Sequence, residues 1–246
     1  NFDGVHRGHQ RIIGTARKLA DERGAEVVVM TFEPHPLAVL HPDHAPAILT
    51  PLLLKRQLLV ELGVDVRLVI DTTVDTLALG AEAFVKQYLI DTVAPAVVVE
   101  GEDFLFGAGR SGDIRTLREI AEHADFEVVV IPAETIEIPN GQTVRVSSTM
   151  VRYMLASGNV VHAAMALGRP YRLIGPTCMG RGVARKLGFP TINMTPPDQI
   201  VPAEGVYAGY VQLGPNQQSV CSNGHTTEAV FSIGQARTFG DEHPLM

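Results

Sequence analysis

Apolar residues at Ile12, Ile13, Ala16, Leu19 and Ala20 recur at a spacing near 3.6, which predicts an amphipathic helix over 10–20. Four short runs follow another pattern. Residues 26–32, 66–70, 96–100 and 126–131 are rich in Val and Ile without strict alternation, and they read as buried parallel strands. Helical patterns lie between them at 51–62, 81–91 and 113–123. Repeated strand–helix–strand order implies right-handed crossovers and an α/β fold with a doubly wound parallel sheet. After a helical stretch ending near Leu167, the chain passes through Gly168-Arg169-Pro170-Tyr171 and changes character. Gly and Pro become frequent, and the strand-like runs at 171–174, 205–213 and 227–232 are short. A second domain follows from this, a small antiparallel β-barrel. The expected domains are 1–168 and 169–246.

Composition narrows the function classes. With 246 residues, 46% of them hydrophobic, the chain can bury one large core or two smaller ones. Its 27 acidic and 20 basic residues leave a net charge of −7, so no broad basic field exists to hold a nucleic acid backbone. Small phosphorylated ligands need only a local positive site. Cys178 and Cys221 are far apart and lack metal-ligand spacing, which fits a reducing cytoplasm. No apolar run reaches membrane-spanning length. Oligomeric state is not encoded in any pattern here.

The candidate chemistry begins at Asn1-Phe2-Asp3-Gly4-Val5-His6-Arg7-Gly8-His9. Arg7 to His9 fall in the first turn of the predicted helix, where free N–H groups and the positive end of the helix dipole favour an anion. Gly8 keeps bulk off the approach, and His6 and His9 share a face from which both imidazoles can donate to one phosphate. Two surface histidines on a solvated helix would give the same spacing. Because no strand precedes the glycine turn, the first strand is expected to be missing from this chain. In a doubly wound sheet, ligands sit beyond the carboxyl ends of strands. Glu33-Pro34-His35-Pro36 and Gly101-Glu102-Asp103-Phe104-Leu105-Phe106-Gly107 are expected on that same edge, although either alone reads equally as an ordinary polar turn.

Val146-Ser147-Ser148-Thr149-Met150-Val151-Arg152 carries a second phosphate-type pattern. Hydroxyls ahead of an amphipathic stretch cap a helix or donate to an anion, and Arg152 offers a planar fork of donors. In the second half, Gly180-Arg181-Gly182-Val183-Ala184-Arg185-Lys186-Leu187-Gly188-Phe189-Pro190-Thr191-Ile192-Asn193 combines a glycine-rich backbone with cations, a hydroxyl and an amide. Such a backbone can approach phosphates, and Thr191 with Asn193 offers hard oxygen ligands to Mg²⁺. A flexible loop is the competing reading of that segment.

Residues 1–9, 101–107 and 146–152 resemble the adenylyltransferase module of prokaryotic bifunctional riboflavin kinase/FMN adenylyltransferases, and 180–193 resembles the glycine-rich signature of their kinase module. The resemblance covers essentially the whole chain; Pro202-Ala203-Glu204-Gly205-Val206-Tyr207-Ala208 and Ser232-Ile233-Gly234 with Thr238-Phe239 agree with it. It implies a Rossmann-like nucleotidylyltransferase domain and a flavokinase-like barrel. It further implies phosphorylation of riboflavin by ATP to FMN, then adenylylation of FMN by ATP to FAD and pyrophosphate, with Mg²⁺ as the metal.

The resemblance assigns catalysis to His6, His9 and Arg152. It assigns ATP and phosphate contacts to Asn1, Phe2, Gly8, Ser148, Thr149, Gly180, Gly182 and Arg185. Flavin contacts would fall on Glu33, His35 and Asp103, and metal contacts on Thr191 and Asn193. Asp103, Glu33 and Arg237 depart from the residues usual in the family, and the expected kinase base lies beyond Met246, Glu242 being too close to Phe239. Two other classes share many of these residues: a flavin- or nucleotide-binding regulator without catalysis, and a nucleotidylyltransferase with a different acceptor.

Overall fold

The long helix α1 (Arg7–Arg23) forms where the 3.6 periodicity predicts, with Ile13 and Ala20 buried on one face. Gly24 ends it in the left-handed conformation at φ 64°, with its N–H on the Ala20 carbonyl. The fold belongs to a computed structural model that describes residues 1–138, 141–179, 191–214, 226–235 and 244–245. It divides into two compact units, residues 1–46 with 55–147 and residues 47–54 with 148–246.

In the first unit, β1 (Val28–Glu33) is followed by the short α2 (Pro36–Leu40), and α3 (Leu52–Glu61), which belongs to this unit from Lys55 onward, leads to β2 (Val66–Asp71). Strands β1 and β2 pair in parallel, ending with Glu33 opposite Asp71. Helices α4 (Val74–Ala78) and α5 (Ala81–Phe84) precede β3 (Val97–Gly101), and α6 (Ile114–Ala121) precedes β4 (Glu127–Ile131). Strands β3 and β4 are also parallel, ending with Gly101 opposite Ile131. The mixed α/β class and the parallel pairing agree with the hydrophobic pattern, but the described parallel ladders are two separate pairs.

Phe84, Val85, Phe106, Leu117 and Phe126 form a buried cluster against which Met30 and Phe32 of β1, Val98 of β3 and Val128 of β4 pack. Side chains from both parallel pairs therefore enter one core. Gly107 is required beside it: at φ 73°, a Cβ there would stand 2.7 Å from the Ala81 backbone nitrogen.

One expected element differs in type. The α-pattern at 81–91 is α-helical only through α5 and continues as a π-helix over Val85–Val93. Its five-residue spacing is held by Thr92 Oγ1 on the Gln87 carbonyl, Lys86 on Asp91, and the Ala94 N–H on Leu89 O. A short hairpin of β5 (Thr135–Glu137) and β6 (Thr143–Arg145) closes the unit.

The second unit opens with α7 (Ser148–Ala156) and α8 (Val160–Leu167), whose buried faces carry Val151, Met154, Leu155, Ala163, Ala166 and Leu167. The short strands β7 (Thr177–Cys178) and β8 (Asn193–Met194) pair antiparallel. The main ribbon is β9 (Gly205–Gln212) with β10 (Thr226–Gln235), and β11 (Pro244–Leu245) pairs onto β10.

The strand expected at 171–174 does not form. A side chain takes the place of a ladder there: buried Gln199 donates to Arg172 O at 2.9 Å and to Leu49 O at 3.0 Å, and its Oε1 accepts the Ile174 N–H at 2.8 Å. With the backbone satisfied by an amide, no neighbouring strand is needed. The same residue anchors segment 47–54 in the second unit.

Candidate active site

The chain enters α1 through a constrained turn. Phe2, Gly4 and Val5 have φ of 50°, 86° and 41°. Val5 is β-branched and 1% exposed, a costly conformation of about 1–3 kcal/mol that persists only where surroundings fix it. Here the Gln10 side chain donates to the Val5 carbonyl at 2.8 Å and the Val5 N–H reaches Phe2 O at 3.3 Å. The turn delivers His6 to the N-cap, where its Nδ1 accepts the His9 N–H at 3.4 Å. An accepting Nδ1 places the ring proton on Nε2, leaving that atom as the donor.

His6 and His9 lie face to face with ring centroids 3.6 Å apart and planes 16° from parallel. Phe2 leans on His9 at 4.9 Å. The two predicted imidazoles are thus brought together at the amino end of a seventeen-residue helix. Gly8 makes this spacing possible, since a Cβ there would meet His6 Cε1 and Nδ1 at 3.2 Å.

Flanking charge is organised by groups the sequence reading did not single out. Glu134 receives Arg11 Nη1 at 3.1 Å and lies 3.9 Å from Arg7 Nε. Arg145 Nη2 is 2.6 Å from Asp103, so the carboxylate expected to meet flavin is held by an arginine that ends β6. Lys55 is buried with its Nζ 3.9 Å from Glu33. Burial pushes the part-buried Glu100 carboxyl up to about 7; the Gly101 N–H acts the other way, and the Asp103 charge adds to the rise. A basic residue shortly before the hydroxyl run was the only sequence signal for Arg145, and a Lys-Arg pair inside a leucine-rich helical stretch the only one for Lys55.

The remaining expected residues occupy defined places. His35 caps α2, its Nδ1 accepting the Leu37 N–H at 3.1 Å, in a loop where Thr72 donates its hydroxyl to Pro34 O at 2.6 Å and its N–H to Glu33 O at 3.0 Å. Asn1 is exposed, one residue ahead of Phe2 in the constrained turn. In the second unit, Ser148 begins α7, Thr149 is exposed, and Arg152 Nε donates to Ala47 O at 2.6 Å. Thr191 is exposed just ahead of β8, and Asn193 lies within it opposite Cys178. Gly180, Gly182, Arg185, Arg237 and Glu242 lie outside the described residues.

The stacked histidine pair stands at the N-terminus of α1, and Ile12 of that helix approaches Gly101 at the carboxyl end of β3, the edge where α/β sheets hold ligands. Residues 1–150 match the FAD synthetase family model and residues 167–246 match the riboflavin kinase family model. The bifunctional riboflavin kinase/FMN adenylyltransferase of Escherichia coli K12 is 38% identical over 208 residues, 85% of this chain and 65% of that protein. The Listeria monocytogenes protein of the same description is 34% identical over 248 residues, covering 99% of this chain and 73% of the relative. The chain thus spans just under two thirds of the Escherichia coli relative.

Among solved structures, a crystal structure described as a macrolide-efflux protein from Streptococcus pneumoniae superposes with a TM-score of 0.82 at 28% identity, over 100% of this chain and 75% of that one. Among the described residues, no helix is long and apolar enough to cross a membrane. The chain belongs to the bifunctional riboflavin kinase/FMN adenylyltransferase family.

Proposed function

We propose that this chain makes flavin cofactors in two steps: riboflavin and ATP give FMN and ADP, then FMN and ATP give FAD and pyrophosphate. The adenylyl transfer is assigned to a Rossmann-like module at 1–168 and the phosphorylation to a flavokinase-like barrel at 169–246. Its ligands are small nucleotides and flavins, and its place is the cytoplasm. The observation that carries the reading is the His6–His9 stack at the start of α1.

In the adenylyl transfer, an FMN phosphate oxygen attacks the α-phosphorus of ATP in line. One P–O bond forms, the bond to the β-phosphate bridging oxygen breaks, and pyrophosphate leaves with the electron pair. No covalent intermediate with the protein is needed, so positioning and charge stabilisation are the protein's work. His6 Nε2–H and the His9 imidazole donate to α-phosphoryl and leaving oxygens as charge builds, while Asn1 and the N–H groups near Gly8 hold the triphosphate. Ser148, Thr149 and Arg152 are assigned to the pyrophosphate end.

Glu33, His35 and Asp103 are assigned to the flavin, with Phe2 beside the nucleotide. Thr191 and Asn193 are hard oxygen donors two positions apart at β8, a set suited to a Mg²⁺ that keeps waters and binds phosphates. When bound, Mg²⁺ supplies charge neutralisation on the phosphates. Gly180, Gly182 and Arg185 are assigned to the phosphates of the kinase reaction.

The test incubates full-length protein with ATP, Mg²⁺ and riboflavin and separates FMN from FAD. His9→Ala is expected to lower the FAD-forming rate about a hundredfold. Near-normal FAD synthesis by that variant would defeat the assignment. Tight flavin binding without conversion would indicate a regulator, and no flavin interaction would indicate another acceptor.

A further inference from the structure

Glu134 touches two of the motifs at once. Its carboxylate holds Arg11 Nη1 at 3.1 Å and stands 3.9 Å from Arg7 Nε, one helical turn apart on either side of Gly8 and His9. Its backbone carbonyl accepts the Val146 N–H at 2.8 Å across the base of the β5–β6 hairpin, where Thr135 pairs with Arg145. Val146 leads directly into Ser147 and Ser148. The side chain also packs against the histidine turn, its Cβ lying 3.9 Å from the place a Gly8 methyl would take.

Electrostatics gives this contact a purpose. Arg7 and Arg11 are cations in the first turns of α1, at the end of the helix dipole that favours anions. Released, each guanidinium is a strong bidentate phosphate ligand and competes with the two imidazoles for the same oxygens. An ion pair with about half of each arginine exposed contributes little to global stability. Its value lies in fixing where the positive groups point.

We propose that Glu134 is a positioning residue for adenylyl transfer: it keeps Arg7 and Arg11 turned away from the bound triphosphate and ties the histidine turn to Val146, just past the end of β6. This rests on the function proposed above. It acts through the arginines and the hairpin without touching the nucleotide.

The experiment compares full-length protein with Glu134→Ala, Arg11→Ala and the double variant in FAD formation from FMN and ATP. Glu134→Ala is expected to lower kcat about tenfold, a misplacement effect, with the KM for ATP within about twofold of the parent. The double variant is expected to be no slower than the slower single, because both changes break one contact. Melting temperature is expected to fall by no more than about 4 °C, as for an exposed pair in a chain of this size.

A kcat for Glu134→Ala within twofold of the parent, or additive losses in the double variant, overturns the proposal. If the parent makes no FAD, the proposed function fails, and Glu134 is judged by NMR. The stacked rings shift each other's protons upfield; loss of that shift in Glu134→Ala supports the positioning role, and an unchanged shift overturns it.

Discussion

Replacing Gly8 by alanine separates the stability of α1 from the work of its first turn. In a helix interior alanine is favoured over glycine by about 0.8–1 kcal/mol, so propensity alone predicts a firmer helix. The structure opposes this at one place: the new methyl would stand 3.2 Å from both Cε1 and Nδ1 of His6, tighter than ordinary van der Waals contact. His6 is 7% exposed and stacked on His9, so it has little room to retreat and gives way by a few tenths of an ångström.

A displacement of 1 Å in a positioned group can cost about a hundredfold in rate, and a shift of a few tenths about tenfold. Net stability should change by less than about 0.5 kcal/mol, since the propensity gain and the contact offset each other. Gly14→Ala is the control. It lies in the same helix with nothing within 4 Å of the new methyl, so it should stabilise by about 0.5–1 kcal/mol and leave the rate unchanged. Urea unfolding and steady-state FAD formation from FMN and ATP read the two effects separately. Equal activity in Gly8→Ala and Gly14→Ala would refute the claim that the imidazole stack needs this clearance.

Glu100 makes stability depend on pH. Its folded carboxyl titrates at about 7 against an ordinary 4.5, so the folded protein holds a proton that the unfolded chain has released between these values. Stability from this group is complete below about 4.5 and is lost as pH rises through about 7, by about 1–3 kcal/mol for a part-buried group. Glu100→Gln should flatten that decline, gaining on the parent between pH 5 and pH 8 in urea titrations; a gap that does not change with pH would rule out the effect. Leu117→Ala removes a side chain with 0% exposure from the cluster of Phe84, Val85, Phe106 and Phe126. The expected loss is about 2–5 kcal/mol in urea unfolding, and a loss under 1 kcal/mol would mean the cluster is not close-packed.

Much of the local structure was legible in the chain, for identifiable reasons. The α1 pattern needs only neighbours three and four residues apart, and the apolar runs at 28–33, 66–71, 97–101 and 127–131 are strands because continuous β-branched burial suits few alternatives. The histidine pair was legible because its chemistry is set by a turn and one helix start, both local. Where a distant group replaced a local one, pattern reading failed. Residues 171–174 look like a strand, yet Gln199 supplies their hydrogen bonds from more than twenty positions away. The π-helix at Val85–Val93 carries the same apolar spacing as an α-helix and differs in which carbonyl each N–H reaches.

Sequence alone therefore determined that His6 and His9 meet at one helix start with a glycine between them, because residues three apart there lie one turn from each other. Only the tertiary structure decided that the rings stack at 3.6 Å, that Asp103 is engaged by Arg145, and that Glu134 holds Arg11 from 123 positions away. Charged side chains are long, and their partners are chosen by how separate strands and helices come together. No periodicity along the chain encodes that choice.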